Sequence, residues 1–93
     1  MRERDIEAYL VREVEKRGGT CEKFSSPSRR HVPDRIVSDR PDHIVYVEVK
    51  APNGRLTPGQ KRDHARRRAR GFKVFVVYST ADVSDFMSYF YGL

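Results

Sequence analysis

Residues 31–50 read HVPDRIVSDRPDHIVYVEVK, a pattern that predicts a β-hairpin. Two apolar, β-branched runs flank a turn-forming cluster, Ser-Asp-Arg-Pro-Asp-His, that contains Pro41. Folding the segment about Pro41 pairs position 36 with 46 and position 34 with 48. In that register Asp34 lies opposite Glu48 on one face of the hairpin, with Cβ atoms about 4.5–5.5 Å apart. Lys50 shares this face because side chains alternate along a strand.

The two facing acids require a compensating charge. Like charges about 4 Å apart repel by roughly 4 kcal/mol at an effective dielectric near 20. A divalent cation removes this repulsion, and hard oxygen ligands suit Mg²⁺ or Mn²⁺. The alternative is a set of salt bridges from these acids to Arg35 or Lys50 on the hairpin surface. The apolar run around Glu48 and Lys50 favours the metal site, because an unpaired charge there is costly.

The hairpin and its flanks resemble a known nuclease signature. Pro33-Asp34 followed by Glu48-Val49-Lys50 is similar to the PD-(D/E)xK motif. More narrowly, the chain resembles the virus-type replication-repair nuclease (VRR-NUC) family in its stand-alone form. The shared features follow the family's order over nearly the whole chain: Ile6-Glu7, Phe24, Ser26-Pro27, Val32-Pro33-Asp34-Arg35, Val47-Glu48-Val49-Lys50-Ala51-Pro52 and Gln60. One departure is His31, where the family usually has glycine; a positive φ at this position would strain a histidine.

The resemblance implies an α/β fold of the small restriction-endonuclease-like (PD-(D/E)xK) type, with a mixed β-sheet flanked by helices in the order α-β-β-β-α-β-α. It implies a DNA endonuclease that acts as a homodimer on branched DNA, such as four-way (Holliday) junctions, in phage or bacterial replication, recombination and repair. Asp34 and Glu48 are then the metal ligands, joined by the backbone carbonyl of Val49. Lys50 would orient the attacking water or neutralise charge in the transition state.

Residues 2–17 predict an amphipathic helix that ends at Gly18-Gly19. Its apolar stripe consists of Ile6, Leu10 and Val14. Glu7 lies within this stripe on a helical wheel, so its charge needs a partner. We expect Glu7 to point at the metal site, directly or through water, as the resemblance also implies; a salt bridge to an arginine is the alternative. Glu3 has a simpler explanation, since a negative charge near a helix start is favourable.

The charge distribution predicts binding to a polyanion. The chain has 19 Lys and Arg against 13 Asp and Glu, a net charge of +6. Residues 55–70 hold seven basic residues and one acid, so they carry the whole excess. The alternative is a solvated helix face that is rich in arginine. The candidate DNA-binding residues are Arg29, Arg30, Arg66, Arg67 and Arg70.

Residues 57–60, Thr-Pro-Gly-Gln, match a capping box and start a second helix that runs to about Arg70. Gln60 therefore has a structural role, and the resemblance places it near the active site as well. The expected apolar stripe of this helix is thin, with Arg66, Arg67 and Arg70 facing outward; it consists of Ala65, Ala69 and Phe72.

The apolar run at 72–78 is typical of a central strand covered on both faces, parallel to the second hairpin strand. A last helix, capped by Thr80, is expected to follow. Its buried stripe is predicted to be Val83, Phe86, Met87 and Phe90. Tyr89 and Tyr91 are either surface aromatics or part of a dimer contact.

Length and composition predict one domain over residues 1–93, with neither a membrane-spanning segment nor a signal peptide, and the resemblance implies that this domain is of the VRR-NUC type. A lone cysteine, Cys21, excludes an internal disulfide and suggests a reducing, cytoplasmic setting. His43 and His64 lie in no recognisable motif, so the carboxylate site is preferred to histidine-based chemistry. Two other functions remain open: a less selective restriction-type or degradative nuclease of the same fold, and a non-catalytic DNA-binding module.

Overall fold

The computed structural model describes residues 1–92; Leu93, the last residue of the predicted domain, lies outside them. The elements are α1 (Glu3–Lys16), β1 (Thr20–Lys23), β2 (Arg35–Arg40), β3 (His43–Val49), α2 (Pro58–Ala69), β4 (Lys73–Val77) and α3 (Thr80–Tyr91). Four strands form one sheet in the order β1-β2-β3-β4. The first two pairings are antiparallel and the β3–β4 pairing is parallel. The predicted α/β class, mixed sheet and element order are confirmed.

The hairpin has the predicted register. Ile36 pairs with Tyr46, and the chain reverses at Pro41 and Asp42. An irregularity between Ser38 and Arg40 shifts the register only at the turn end of the hairpin. Because side chains alternate along a strand, the valines of β3 lie on one face of the sheet, and Tyr46 and Glu48 lie on the other.

The apolar face of the sheet is covered by α1 and α3. Buried side chains from the two helices and the strands form one cluster: Ile6, Leu10, Val14, Cys21, Val37, Val45, Val47, Val49, Val77, Val83, Phe86, Met87 and Phe90. Each large apolar side chain buried in this way contributes roughly 1.5–3 kcal/mol. The predicted stripes of both helices are confirmed. Gly18, at φ +81°, ends α1 in the left-handed conformation that glycine adopts without strain.

The opposite face of the sheet is covered by α2, whose predicted apolar stripe is wrong. Ala65 and Ala69 are exposed, and the buried residues of α2 are Gly59, Asp63 and His64. The reason is that this face of the sheet carries Glu48, so α2 packs with a polar side that supplies hydrogen-bonding partners. Arg67 also differs from its expectation: its side chain is 16% exposed and pairs with Asp63 instead of facing outward.

Two further details differ from the sequence expectations. In strand order β4 is an edge strand, not a central one. Its sequence is apolar because α2 and α3 cover its two faces, although residues 1–92 provide no strand beyond it. The last helix is capped by Ser79, whose Oγ accepts a hydrogen bond from the Asp82 N–H at 3.0 Å, and Thr80 is the first helical residue. In residues 1–92, no helix combines the length and apolar character needed to cross a bilayer.

Candidate active site

Asp34 and Glu48 come together at the end of the two central strands, where β2 begins and β3 ends. The Phe24 N–H donates to the Asp34 carbonyl at 3.0 Å, which holds Asp34 in line with the sheet just before β2. The Val49 N–H donates to Asp34 Oδ2 at 2.7 Å, so the carboxylate is fixed beside β3. Glu48 is only 2% exposed. The hairpin therefore places one partly exposed and one buried carboxyl group side by side, as its register predicts.

Glu48 has a strongly perturbed acidity. Burial, followed by a hydrogen bond with Asp34 and the Asp34 charge, raises the pKa of Glu48 from 4.5 to about 8. The positive charge of Lys50, two residues further along the chain, opposes these effects and lowers the pKa of Glu48. At neutral pH the metal-free Glu48 therefore holds a proton, which the hydrogen bond shares with Asp34. A bound cation would replace that proton and relieve the repulsion between the two carboxylates.

Two side chains of α2 hold the Glu48 carboxyl group. Gln60 Nε2 donates to Glu48 Oε2 at 3.3 Å, and His64 Nε2 lies 3.3 Å from Glu48 Oε1. His64 is fully buried, and burial together with the nearby Arg68 charge lowers its pKa, so the ring is neutral. Its Nδ1 has no hydrogen-bond partner among the described residues. This arrangement favours the tautomer in which Nε2 carries the hydrogen and donates it to Glu48.

Gln60 combines its two predicted roles. Thr57 Oγ1 accepts from the Gln60 N–H at 3.1 Å, and Gln60 Oε1 accepts from the Thr57 N–H at 3.0 Å, which completes the capping box. The Gln60 amide nitrogen is left free to reach Glu48. Sequence reasoning missed His64, although it lies four residues after Gln60 and therefore on the same helix face. That spacing was the available signal.

The donor set is compatible with a hard divalent cation. Within residues 1–92, no three side chains of His, Cys, Asp or Glu lie close enough to form a metal-binding group. The candidate ligands are therefore two carboxylates and, as the family resemblance implies, the Val49 carbonyl. Mg²⁺ commonly binds to one or two carboxylates and keeps several waters. The two neighbouring carboxyl groups, with the raised pKa of Glu48, fit such an ion.

Comparison with known proteins is consistent with this geometry. A family model described as the VRR-NUC domain matches residues 28–81, more than half of the chain. The chain belongs to the VRR-NUC family. A solved structure titled "VRR_NUC domain" superposes on this VRR-NUC chain with a TM-score of 0.85 and 34% identity, covering 92% of this chain and 94% of that one. The protein named "Putative nuclease p44", from Acyrthosiphon pisum secondary endosymbiont phage 1, is 47% identical over 87 residues, which are 94% of this chain and 92% of the phage protein.

Glu7 takes the arrangement that the sequence analysis gave as the alternative. Arg35 Nε donates to Glu7 Oε2 at 2.7 Å, and Lys23 Nζ lies 3.9 Å from the same oxygen. Arg35 follows Asp34 in the chain and points to the opposite face of the sheet, towards α1. Glu3 is the α1 acid whose charge raises the pKa of Glu48. A metal-binding role of Glu7 in this VRR-NUC domain stays a prediction, since both pairings involve its Oε2 atom.

The predicted DNA-binding arginines differ in their surroundings. Arg29, Arg66 and Arg70 lie around one cavity of about 60 Å³, whose lining also includes Asp63, Arg67 and Phe72. Arg67 is committed to internal contacts: it pairs with Asp63 at 2.9 Å and lies over the rings of Tyr46 and Phe24 at 4.8 and 5.1 Å. Arg30 is exposed and does not line this cavity.

His31 has the positive φ that the family's glycine suggested, with φ +66°. Its ring lies against Gly59 in the first turn of α2, so closely that a Cβ on Gly59 would come within 2.5 Å of the ring atoms. The departure from the family pattern is therefore accommodated by a glycine on the facing helix.

Proposed function

We propose that this VRR-NUC protein is a metal-dependent endonuclease that hydrolyses phosphodiester bonds in branched DNA, four-way junctions included, as a homodimer. The observation that carries the proposal is the pairing of Asp34 with the buried Glu48. Burying an acid beside another acid destabilises the folded state unless a proton or a cation compensates. The raised pKa of Glu48 is the expected consequence of that arrangement in the absence of a metal.

Asp34, Glu48 and the Val49 carbonyl are the proposed ligands of Mg²⁺ or Mn²⁺, with Glu7 as a further ligand, directly or through water. When bound, the ion supplies Lewis-acid stabilisation of the reacting phosphate and lowers the pKa of an attacking water. Lys50 would orient that water or neutralise charge that develops in the transition state. Gln60 and His64 hold the Glu48 carboxyl group from α2, which keeps the ligand oriented.

The charge of the chain supports DNA as the substrate. The net excess of +6 falls within residues 55–70, which include α2, the helix that contacts Glu48. Arg29, Arg30, Arg66 and Arg70 would bind phosphates, while Arg67 would act by positioning the surrounding side chains. Since the chain contains no recognisable base-reading motif, backbone and shape recognition are favoured.

The branched substrate and the homodimer come from the family resemblance. A twofold dimer would present two active sites to symmetry-related strands, which suits paired cuts at a junction. The similarity to a phage protein named as a nuclease supports a setting in phage or bacterial DNA metabolism. The work of the enzyme would then take place in the cytoplasm of the cell that holds this DNA.

The test compares four-way junction, linear duplex and single-stranded DNA, each with Mg²⁺, Mn²⁺ or EDTA. We expect metal-dependent cutting of the junction and a loss of at least roughly a hundredfold in Asp34→Ala and Glu48→Gln. Asp85→Asn, which changes an exposed acid of α3, is the matched control and should cut normally. Light scattering on the same samples should give the mass of a dimer.

Three outcomes would contradict the proposal in different ways. Cleavage that survives Asp34→Ala would remove the catalytic assignment. Equal cutting of linear duplex and junction would indicate a restriction-type or degradative nuclease. Tight DNA binding without cleavage under any metal would indicate a binding module.

A further inference from the structure

Phe72 is an exposed aromatic residue on the face of the sheet that also carries the candidate active site. Phe72 is 47% exposed, although it lies in the short connection between α2, which ends at Ala69, and β4, which begins at Lys73. The Phe72 N–H donates to the Arg67 carbonyl at 3.0 Å, and the ring contacts Tyr46 edge-on at 5.8 Å between centroids. The backbone and one edge of the ring are thus fixed, while part of the ring is left open to solvent.

The position of Phe72 relative to the two acids follows from its neighbour Tyr46. The Tyr46 ring lies 5.6 Å from the Phe24 ring, and the Arg67 guanidinium lies over both. Tyr46 is on the same strand face as Glu48, two residues and therefore about 7 Å before it. A few stacked nucleotides, at about 3.4 Å for each, would therefore span the distance between Phe72 and the acids.

Positive charge surrounds the exposed ring. Arg29, Arg66 and Arg70 line the same cavity of about 60 Å³ as Phe72. Asp63 is paired with Arg67 at 2.9 Å and only distantly with Arg66 at 3.6 Å. The lining therefore carries a net positive charge next to an open aromatic surface, which is the combination that proteins use to bind single-stranded nucleic acid.

We infer that the cleft lined by Arg29, Arg70 and Phe72 binds an unpaired nucleotide of the DNA strand, a few nucleotides from the bond that is cut. The base stacks on Phe72 and the arginines bind its phosphates. This inference rests on the proposed nuclease function and specifies its substrate class. A continuous duplex keeps its bases stacked on one another, so it offers no base face to Phe72. The cleft would thus favour DNA with an unpaired segment close to the cleavage point.

The test measures binding without cleavage, in EDTA, by fluorescence anisotropy. The two probes are a labelled oligothymidine and a duplex of the same length whose ends are closed by non-nucleotide linkers, so that it contains no unpaired base. Phe72→Leu keeps the apolar contact with Tyr46 but removes the flat ring, and we expect it to weaken oligothymidine binding about tenfold. Duplex binding should change less than about twofold. Phe72→Tyr should bind both probes like the wild type.

The control is Tyr9→Leu, since Tyr9 is a partly exposed aromatic residue of α1, on the opposite side of the sheet, with Arg12 over its ring. It should leave binding of both probes unchanged, and melting curves should confirm that every variant is folded. The inference is overturned if Phe72→Leu weakens both probes equally, if it weakens neither, or if it changes the mass of the protein in solution.

The inference and the proposed function fail in separate measurements. An unchanged affinity of Phe72→Leu for oligothymidine removes the unpaired-strand site, while metal-dependent cleavage by the wild type is unaffected by that result. Absence of cleavage removes the nuclease proposal, while the ratio of the two probe affinities in EDTA still reports on Phe72.

Discussion

Glu48 links metal binding to protein stability through its proton. Its pKa rises from an ordinary 4.5 to about 8 on folding, mainly because the carboxyl group is buried and then because of Asp34. Between these values the folded chain holds a proton that the unfolded chain releases. The Glu48 contribution to the free energy of unfolding of the metal-free protein is therefore predicted to fall as pH rises from about 5 to 8, by about 4 kcal/mol at most. Because burial lowers the pKa of His64 from its ordinary 6.5, its contribution has the opposite sign below pH 6.5, so the net loss is expected mainly between pH 6.5 and 8.

Addition of Mn²⁺ should oppose that loss, because the cation replaces the proton of Glu48. We expect the increase in Tm on adding Mn²⁺ to be larger at pH 8 than at pH 5, as measured by thermal unfolding in the absence of DNA. Glu48→Gln should abolish the loss of stability towards pH 8 and the metal effect, leaving the opposite pH dependence of His64, while Asp85→Asn should retain both effects. A Tm that is independent of pH in the metal-free wild type would show that Glu48 does not carry a buried proton.

His64 is predicted to position Glu48 through one nitrogen atom. A glutamine at position 64 can place its amide nitrogen near the position of His64 Nε2, whereas an asparagine reaches only to the region of Nδ1. His64→Gln should therefore keep most of the Mn²⁺ affinity, and His64→Asn should lose about tenfold or more. Calorimetric titration of Mn²⁺ without DNA measures both. His43→Gln is the control, because His43 pairs with Asp39 and stacks on Phe90.

Equal losses in His64→Gln and His64→Asn would argue against a specific hydrogen bond and would assign His64 to packing alone. The comparison is needed because His64 is fully buried, so either substitution will also lower stability. Melting curves taken beside the titrations separate the two effects.

The positions of individual site residues could be predicted where strand alternation decides which face of the sheet a side chain occupies. The pairing of Asp34 with Glu48 follows from the period of two and from the position of the turn. The partner of Glu7 did not follow, since it depends on how far Arg35 reaches towards α1 across the sheet. The role of His64 was missed because only known sequence motifs were considered. Its contact with Glu48 arises instead from its spacing of four residues from Gln60 on the same helix face.

At the level of the elements, α2 is stabilised on its buried side mainly by polar contacts. Asp63 binds Arg67, His64 and Gln60 bind Glu48, and Arg68 donates to the Val74 carbonyl at 2.7 Å. A prediction from apolar periodicity cannot detect a polar buried side, so it wrongly placed the alanines of α2 towards the sheet. It succeeded for α1 and α3, where an apolar stripe meets an apolar sheet. The edge position of β4 could not be predicted from the sequence either. An edge strand that is covered by helices on both faces has the same apolar sequence as a central strand.

The contact between α2 and the preceding loop predicts a coupling between Gly59 and His31. Gly59→Ala should destabilise the protein by about 1 kcal/mol or more, because the new Cβ would meet the His31 ring at 2.5 Å. In a His31→Gly background the same change should become neutral or stabilising, since alanine is the better helix former by up to about 1 kcal/mol. His31→Gly also removes a non-glycine residue from φ +66°.

Urea unfolding of the four variants in this double-mutant cycle measures the coupling energy. Gly54→Ala, which lies outside α2, serves as a glycine control. Additive effects of Gly59→Ala and His31→Gly would mean that the ring moves aside freely and that the loop is not held against α2.

For the whole molecule, the distribution of charge over the two faces of the sheet decides how DNA approaches. The core helices α1 and α3 cover one face, and α2 with the acid pair covers the other. Sequence alone placed the entire excess of +6 within residues 55–70. Which arginines surround a cavity depended on the loop before β2 meeting the end of α2, a contact with no sequence signal.

This distribution predicts which charges set the salt dependence of DNA binding. Each arginine that contacts a phosphate releases about 0.9 counterions on duplex DNA. Arg66→Gln and Arg70→Gln should therefore each reduce the slope of log K against log salt concentration by about 1. Arg12→Gln should leave the slope unchanged, because Arg12 lies on α1 and packs over Tyr9. Anisotropy with the closed-end duplex in EDTA, at several salt concentrations, measures the slopes without cleavage. A reduced slope in Arg12→Gln equal to that of the α2 variants would place DNA over the wrong face, and the acid pair would then lie out of reach of the phosphate backbone.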